Sequence, residues 1–141
     1  SGTVNFSVKK GEHPAKCYNG FKMWLLLIQS RYDPITAIYY EKVARHVGTL
    51  AAHKYGGLKA LLEIHSFANG IPMEGHHVGT IKKFWTGKGN AKRDQMIEEA
   101  RRRGFDPVDD NAADAIAILH LGLSDKWKSQ WYKNKSKKRK A

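Results

Sequence analysis

The sequence predicts an α/β domain with a partly parallel sheet, because short extended segments alternate with helical segments along the chain. Residues 35–40 form a near-continuous apolar run rich in β-favouring side chains, which is typical of a strand at the centre of a sheet. Apolar residues at helical spacing precede and follow this run. With 141 residues, 41% of them hydrophobic, the chain has enough apolar material for one domain with its own core.

The first third of the chain predicts strand, helix and strand. Residues 1–8 alternate polar with apolar side chains, the pattern of a half-buried strand. Residues 15–31 keep helical apolar spacing and predict a buried helix, in which Cys17 is expected to be a small core residue. The apolar strand of residues 35–40 follows, and Glu41 comes at its end. The carboxyl edge of a sheet is where α/β folds place their functional sites.

The middle of the chain predicts a second helix over residues 50–68 and a further extended segment from Ile71 through Val78 to Ile81. Gly56 and Gly57 lie inside that helix, where glycine lowers helix stability. We therefore expect a close packing contact at these glycines.

A glycine loop, residues 86–90, precedes a third predicted helix over residues 91–103. The last predicted helix runs to about Leu123, with Asp109 or Asn111 as its N-cap, since a short side-chain oxygen satisfies the first amide groups of a helix. Helical spacing predicts one buried stripe on it: Ala112, Ile116, Leu119 and Leu123.

Carboxylates on two predicted elements suggest a metal site. Asp110 and Asp114 are four residues apart, so both point from one face of the last helix and repel each other. Together with Glu41 they offer hard oxygen ligands of the kind that Mg²⁺ or Mn²⁺ prefers. The alternative is structural. Asp110 then only favours a helix N-terminus through the helix dipole, and Glu41 is a solvated strand-end residue.

The charge of the chain indicates a polyanionic partner. Its 25 Lys and Arg residues exceed its 13 Asp and Glu residues, giving a formal net charge of +12, which favours nucleic acid over a membrane surface. Residues 124–141 form a basic, Trp- and Lys-rich tail beyond the domain of residues 1–123. The basic residues around the glycine loop are the expected phosphate contacts: Lys82, Lys83, Lys88 and Arg93.

Other classes of site have weaker support in the sequence. A single cysteine excludes an internal disulfide and any Cys-rich zinc site, and fits a reducing compartment. His76 and His77 are adjacent, so on a strand they face opposite sides and do not chelate one ion together. No apolar run is long enough for a membrane span, and the chain shows no Gly-x-Ser-x-Gly nucleophile motif.

Several motifs occur in the same order and at similar spacing as in the phage-type RuvC-like Holliday junction resolvases, which the chain resembles over about residues 1–121. The motifs are Tyr40-Glu41-Lys42-Val43, His46-Val47-Gly48-Thr49, Ala51-Ala52-His53, Tyr55-Gly56-Gly57, Val78-Gly79-Thr80-Ile81-Lys82-Lys83, Thr86-Gly87-Lys88-Gly89-Asn90-Ala91 and Asp109-Asp110-Asn111-Ala112-Ala113-Asp114-Ala115. The resemblance implies a ribonuclease H-like fold, a homodimer and cytoplasmic location in a bacterium or phage-infected host cell. It also implies Mg²⁺-dependent cutting of four-way or branched DNA.

The resemblance also implies site residues. The family holds its metal with four acidic residues, of which Glu41 matches the second and Asp114 the last. The third falls at Asp110 or at the position of Asn111, and Asp110 is preferred because a carboxylate binds a cation better than an amide does. Glu41, Asp110 and Asp114 are therefore the expected catalytic residues and metal ligands.

The resemblance departs at the front of the chain. The family begins with a strand that bears its first essential Asp, paired in a hairpin with a second strand, and this sequence matches only from the third strand onward. As given, the chain is expected to be an N-terminally truncated resolvase that is defective in cleavage. The competing classes are a non-catalytic basic nucleic-acid-binding module and a ribonuclease H-type nuclease acting on RNA–DNA hybrids.

Overall fold

The computed structural model describes residues 2–45 and 47–124, and the predicted basic tail beyond Ser124 lies outside them. In chain order these residues form α1 (Ala15–Tyr32), β1 (Ile38–Lys42), α2 (Thr49–Ala68), β2 (Met73–His77), α3 (Val78–Thr86), α4 (Arg93–Arg102) and α5 (Asp110–Leu123). The two strands pair in parallel in one short sheet. The arrangement is mixed α/β, as the alternating pattern predicts.

The chain divides into two compact units. In one of them, residues 4–38 and 43–74, α1 packs against α2. Tyr18 of α1 contacts Gly57 of α2 so closely that a Cβ on Gly57 would overlap the ring. A Cβ on Gly56 would meet no atom within 4 Å, so the expected close contact belongs to Gly57 alone. Cys17 is buried, as predicted.

The difference between the two glycines gives a matched pair of variants. Gly57→Ala is expected to destabilise the protein by about 1–3 kcal/mol, because the new methyl group overlaps the Tyr18 ring. Gly56→Ala is expected to be neutral or to stabilise by up to about 1 kcal/mol, because alanine is the better helix former and meets open space. Urea denaturation of both variants measures the difference. Equal effects would show that the contact with Tyr18 does not constrain the helix.

The described part of the other unit comprises residues 2–3, 39–42 and 75–124. Its core lies between α3, α4 and α5, with Trp85 at the centre, only 1% exposed. Three alanines of α5 have no exposed surface, so the neighbouring elements approach the backbone of that helix closely: Ala112, Ala113 and Ala117. This unit contains every residue of the predicted acidic site.

The structure corrects three sequence-based expectations in the elements. Residues 2–8 form no regular strand. Residues 78–81 begin α3 instead of extending a strand, because Ile81 and Trp85, four residues apart, are buried together only on a helix. The strand predicted at residues 35–40 begins three residues later and ends two residues later, at Ile38–Lys42, so Glu41 is within it.

The predicted buried stripe of the last helix is partly wrong. Ala112 and Ile116 are buried, but Leu119 and Leu123 are each about half exposed. Ala113, Ala117 and Leu121 are the buried series instead. Two apolar series at helical spacing overlap in this helix, and the small side chains of the second series allow the closer approach to the core.

Candidate metal and nucleic-acid site

Strand β1 directs Glu41 toward α5. Side chains two residues apart lie on the same face of a strand, so Glu41 shares a face with Tyr39. The Tyr39 ring packs directly on the backbone of α5 at Gly122, where a Cβ would overlap it. Glu41 is only partly buried and is the second-last residue of the strand, close to its carboxyl end.

Helix α5 supplies the other two carboxylates of the predicted site. Its first turn is capped by Asp109, whose Oδ1 accepts hydrogen bonds from the Ala112 amide and the Thr3 hydroxyl, each at 2.8 Å. The N-cap is therefore Asp109, and Asn111 lies exposed within the helix. The cap fixes the start of the helix, from which Asp110 and Asp114 project one turn apart.

The negative charge of Asp114 acts on Glu41. Burial raises the pKa of Glu41, the negative charge of Asp114 raises that pKa further, and Lys82 opposes both effects. Burial also raises the pKa of Asp114, where Lys82 and Arg93 oppose the shift and Asp110 adds to it. The electrostatics thus connect Glu41 with Asp114, and Asp114 with Asp110, and we call these three predicted ligands the acidic site.

Two of the four predicted phosphate contacts lie at the acidic site itself. Lys82 of α3 is half-buried and acts electrostatically on both Glu41 and Asp114. The Arg93 Nε lies 3.1 Å from Oδ2 of Asp110. Lys83 and Lys88 are exposed side chains on and just after α3. The repulsion that the sequence leaves unbalanced between Asp110 and Asp114 is thus countered by cations from α3 and from the start of α4.

The position of Lys82 was missed by sequence reasoning. We expected it to be a phosphate contact flanking the glycine loop, directly after an extended segment that ends at Ile81. A helical interpretation of that segment makes Ile81 and Trp85 an apolar pair and puts Lys82 next to that buried face. The signal was therefore present, but the apolar run was too short to distinguish a helix from a strand.

The acidic site fits a divalent cation in its chemistry but is not a preformed cage. Glu41 and Asp114 are oxygen donors held together despite the burial and repulsion that raise their pKa values. Such donors suit Mg²⁺ or Mn²⁺. Within residues 2–45 and 47–124, however, no three His, Cys, Asp or Glu side chains are already arranged around a common point that could hold a metal ion.

The comparisons with known proteins give matches in structure. No protein-family model matches the sequence, and no curated protein sequence is significantly similar to it. The structure is similar to Thermus thermophilus RuvC in complex with Holliday junction substrate, with a TM-score of 0.69 and 20% identity over 80% of this chain and 70% of the other. It is also similar to a second Thermus thermophilus RuvC structure, with a TM-score of 0.66 and 21% identity over 79% and 69% of the two chains.

These matches confirm the predicted fold class, a ribonuclease H-like α/β fold with helices flanking the sheet. None of the helices in the described residues is both long enough and apolar enough to cross a bilayer.

Proposed function

We propose that this protein is a structure-selective endodeoxyribonuclease of the phage RuvC-like kind, which resolves four-way or branched DNA by metal-dependent phosphodiester hydrolysis. The observation that carries the proposal is the approach of Glu41 on β1 to Asp114 on α5. It occurs in a fold shared with RuvC, and one RuvC structure contains a Holliday junction substrate.

The electrostatics of the acidic site favour a functional role over a structural one. Ionised Glu41 and Asp114 destabilise the folded protein at neutral pH, because burial and the charge of a neighbouring carboxylate, Asp114 for Glu41 and Asp110 for Asp114, disfavour their charged forms. Carboxylates held together under those conditions are typical of sites selected for chemistry at the expense of stability.

The residues of the site would divide the chemistry among them. Glu41 and Asp114 would hold Mg²⁺ or Mn²⁺, and Asp110 would contribute the third carboxylate. The bound cation would activate water and stabilise the leaving oxygen of the phosphodiester. The Lys82 ammonium acts electrostatically on both carboxylates and would attract a DNA phosphate towards them.

The charge of the protein and the basic residues near the acidic site favour binding of nucleic acid. The net charge of +12 favours binding to a phosphate backbone, and Lys83, Lys88 and Arg93 are the proposed further contacts. A homodimer would present two acidic sites to the symmetric arms of a four-way junction. A cytoplasmic protein of a bacterium or an infected host cell would meet such DNA during recombination.

A DNA selection experiment tests the proposed function. Labelled four-way junction, linear duplex of the same sequence and RNA–DNA hybrid are offered to the full chain, first with Ca²⁺ for binding and then with Mg²⁺ for cutting. We expect the junction to be bound about tenfold or more tightly than the duplex, a difference of about 1.4 kcal/mol. Equal affinity for the two DNA forms contradicts junction selectivity, and preferred cutting of the hybrid assigns the protein to the ribonuclease H-type alternative.

A non-catalytic DNA-binding module is the second candidate function. It is favoured by one observation, that in the described part of the chain no three potential ligands are preassembled for a metal. Junction binding that is unchanged by Mg²⁺ and by Asp114→Asn, with no cutting under any metal, is the result that this alternative predicts.

A further inference from the structure

The ion pair between Arg93 and Asp110 connects a proposed DNA contact to a proposed metal ligand. Arg93 Nε lies 3.1 Å from Asp110 Oδ2, well within the distance of an ion pair. The Arg93 side chain is 84% exposed, whereas that of Asp110 is 29% exposed. The guanidinium therefore covers the carboxylate from the solvent side, from which DNA would approach.

In its position Arg93 can pair either with Asp110 or with a DNA phosphate, so these two partners compete for it. Besides pairing with Asp110, its charge reaches Asp114 and opposes the rise in the pKa of that residue. A guanidinium binds phosphate and carboxylate with the same fork of N–H donors. A DNA phosphate that pairs with the Arg93 guanidinium releases the Asp110 carboxylate, which can then bind another cation.

The exchange requires little energy, because the pair is largely solvated. Ion pairs between exposed side chains contribute little to stability, since each partner is well hydrated when separate. Arg93 at 84% exposure belongs to this class. The side chain can move to a phosphate without disturbing the packing of α4 or α5.

We propose that Arg93 is a positioning residue that holds Asp110 in the absence of nucleic acid and exchanges it for a DNA phosphate, so that DNA binding and divalent-cation binding strengthen each other. The inference rests on the proposed function and adds an order to it, in which the acidic site reaches its full cation affinity only on DNA. Coupling of this kind is reciprocal, so the cation also strengthens DNA binding.

Titration calorimetry with Mn²⁺ on the full chain without DNA is the first test. Arg93→Gln frees Asp110 and is expected to bind Mn²⁺ about two- to fivefold more tightly than the wild type, the range that an exposed ion pair allows. Lys92→Gln is the matched control. It removes the same charge one residue earlier from an exposed side chain, and the capping hydrogen bond of Lys92 to Gln95 survives because its backbone amide is the donor. The control is expected to change Mn²⁺ affinity by clearly less than Arg93→Gln does.

The second test observes the exchange directly. The Arg93 Nε–Hε NMR resonance, assigned by its loss in Arg93→Gln, is followed while metal-free protein is titrated with four-way junction DNA. We expect it to shift on DNA binding, and also to shift when Mg²⁺ is added to DNA-free protein.

The outcomes separate the inference from the proposed function. Equal Mn²⁺ affinity of the wild type and Arg93→Gln, or equal tightening by Lys92→Gln, overturns the exchange and leaves the metal site intact. An Arg93 resonance that shifts neither on DNA binding nor on addition of Mg²⁺ overturns the exchange as well. Failure of all three proteins to bind Mn²⁺ overturns the metal-dependent function, and the inference with it.

Discussion

Asp114→Asn is expected to abolish any Mg²⁺-dependent cutting of a four-way junction that this chain retains, while leaving metal-free junction binding intact. Asparagine keeps the size of the side chain but removes the negative charge that a divalent cation requires. We expect cutting to fall by at least about a hundredfold, as is common when a group stabilising charge at the reacting centre is lost. Cleavage assays on labelled junction measure the loss, and gel shifts without any divalent cation measure binding, because a bound cation would itself strengthen DNA binding.

The same variant is expected to be more stable than the wild type at neutral pH. The folded protein holds the pKa of Asp114 above its ordinary value of 3.8, so the ionised carboxylate disfavours folding at pH values above that raised pKa. As the pH falls below 3.8, Asp114 is protonated in both the folded and the unfolded state, and the advantage of asparagine is expected to disappear. Thermal denaturation at several pH values checks this sign.

Asp106→Asn is the matched control for both measurements. Asp106 is an acid in the turn before α5, and its side chain is 95% exposed. Its replacement is expected to change neither cutting nor stability by a measurable amount. If the control loses as much cutting as Asp114→Asn, the loss reflects general charge and not the acidic site.

Trp85→Ala is expected to have the largest effect on folding, a loss of about 3–5 kcal/mol. The indole is 1% exposed, and its Nε1 donates a hydrogen bond to the Met96 carbonyl at 3.2 Å. The Arg103 guanidinium lies 4.1 Å from the ring centroid and also donates to the Trp85 carbonyl at 3.0 Å. Removing the ring therefore leaves a large cavity and separates α3 from α4.

Urea denaturation of Trp85→Ala compared with Phe84→Ala checks this expectation. Phe84 is the preceding residue and is 37% exposed, so its truncation creates little cavity. A loss of this size at Trp85 is comparable to the whole stability of a small domain, so the variant is expected to be largely unfolded. A cost below about 1 kcal/mol would contradict the central packing role of Trp85.

The long helices were predictable because their apolar spacing extends over several turns. α1, α2 and α5 begin and end within two residues of their predicted bounds, and Asp109 caps α5 as its sequence position allows. The placement of the acidic residues on their elements was predictable for a related reason, whereas their role as metal ligands stays a prediction. The spacing of Asp110 and Asp114 fixes their common face, and the position of Glu41 near the end of a strand fixes its edge of the sheet.

The features that were not predicted from the sequence depend on contacts between distant parts of the chain. Residues 78–81 are too few for their apolar spacing to distinguish a helix from a strand. The segment is helical because a helix places Trp85 in the core with α4 and α5, and this contact is not visible in the local sequence. The pairing of Arg93 with Asp110 joins two helices across a loop, and no local spacing encodes it. Which of two overlapping apolar series on α5 is buried likewise depends on the partners that the helix meets.

Anomalous scattering from a crystal of the full chain soaked in Mn²⁺ tests most directly whether the acidic site binds divalent cations. We expect a peak coordinated by carboxylate oxygens of both Glu41 and Asp114, at a distance close to the roughly 2.1 Å typical of small divalent cations. Such a peak would join the strand and helix carboxylates in one metal centre. A well-diffracting Mn²⁺-soaked crystal with no anomalous density between Glu41 and Asp114 would contradict the metal-dependent mechanism.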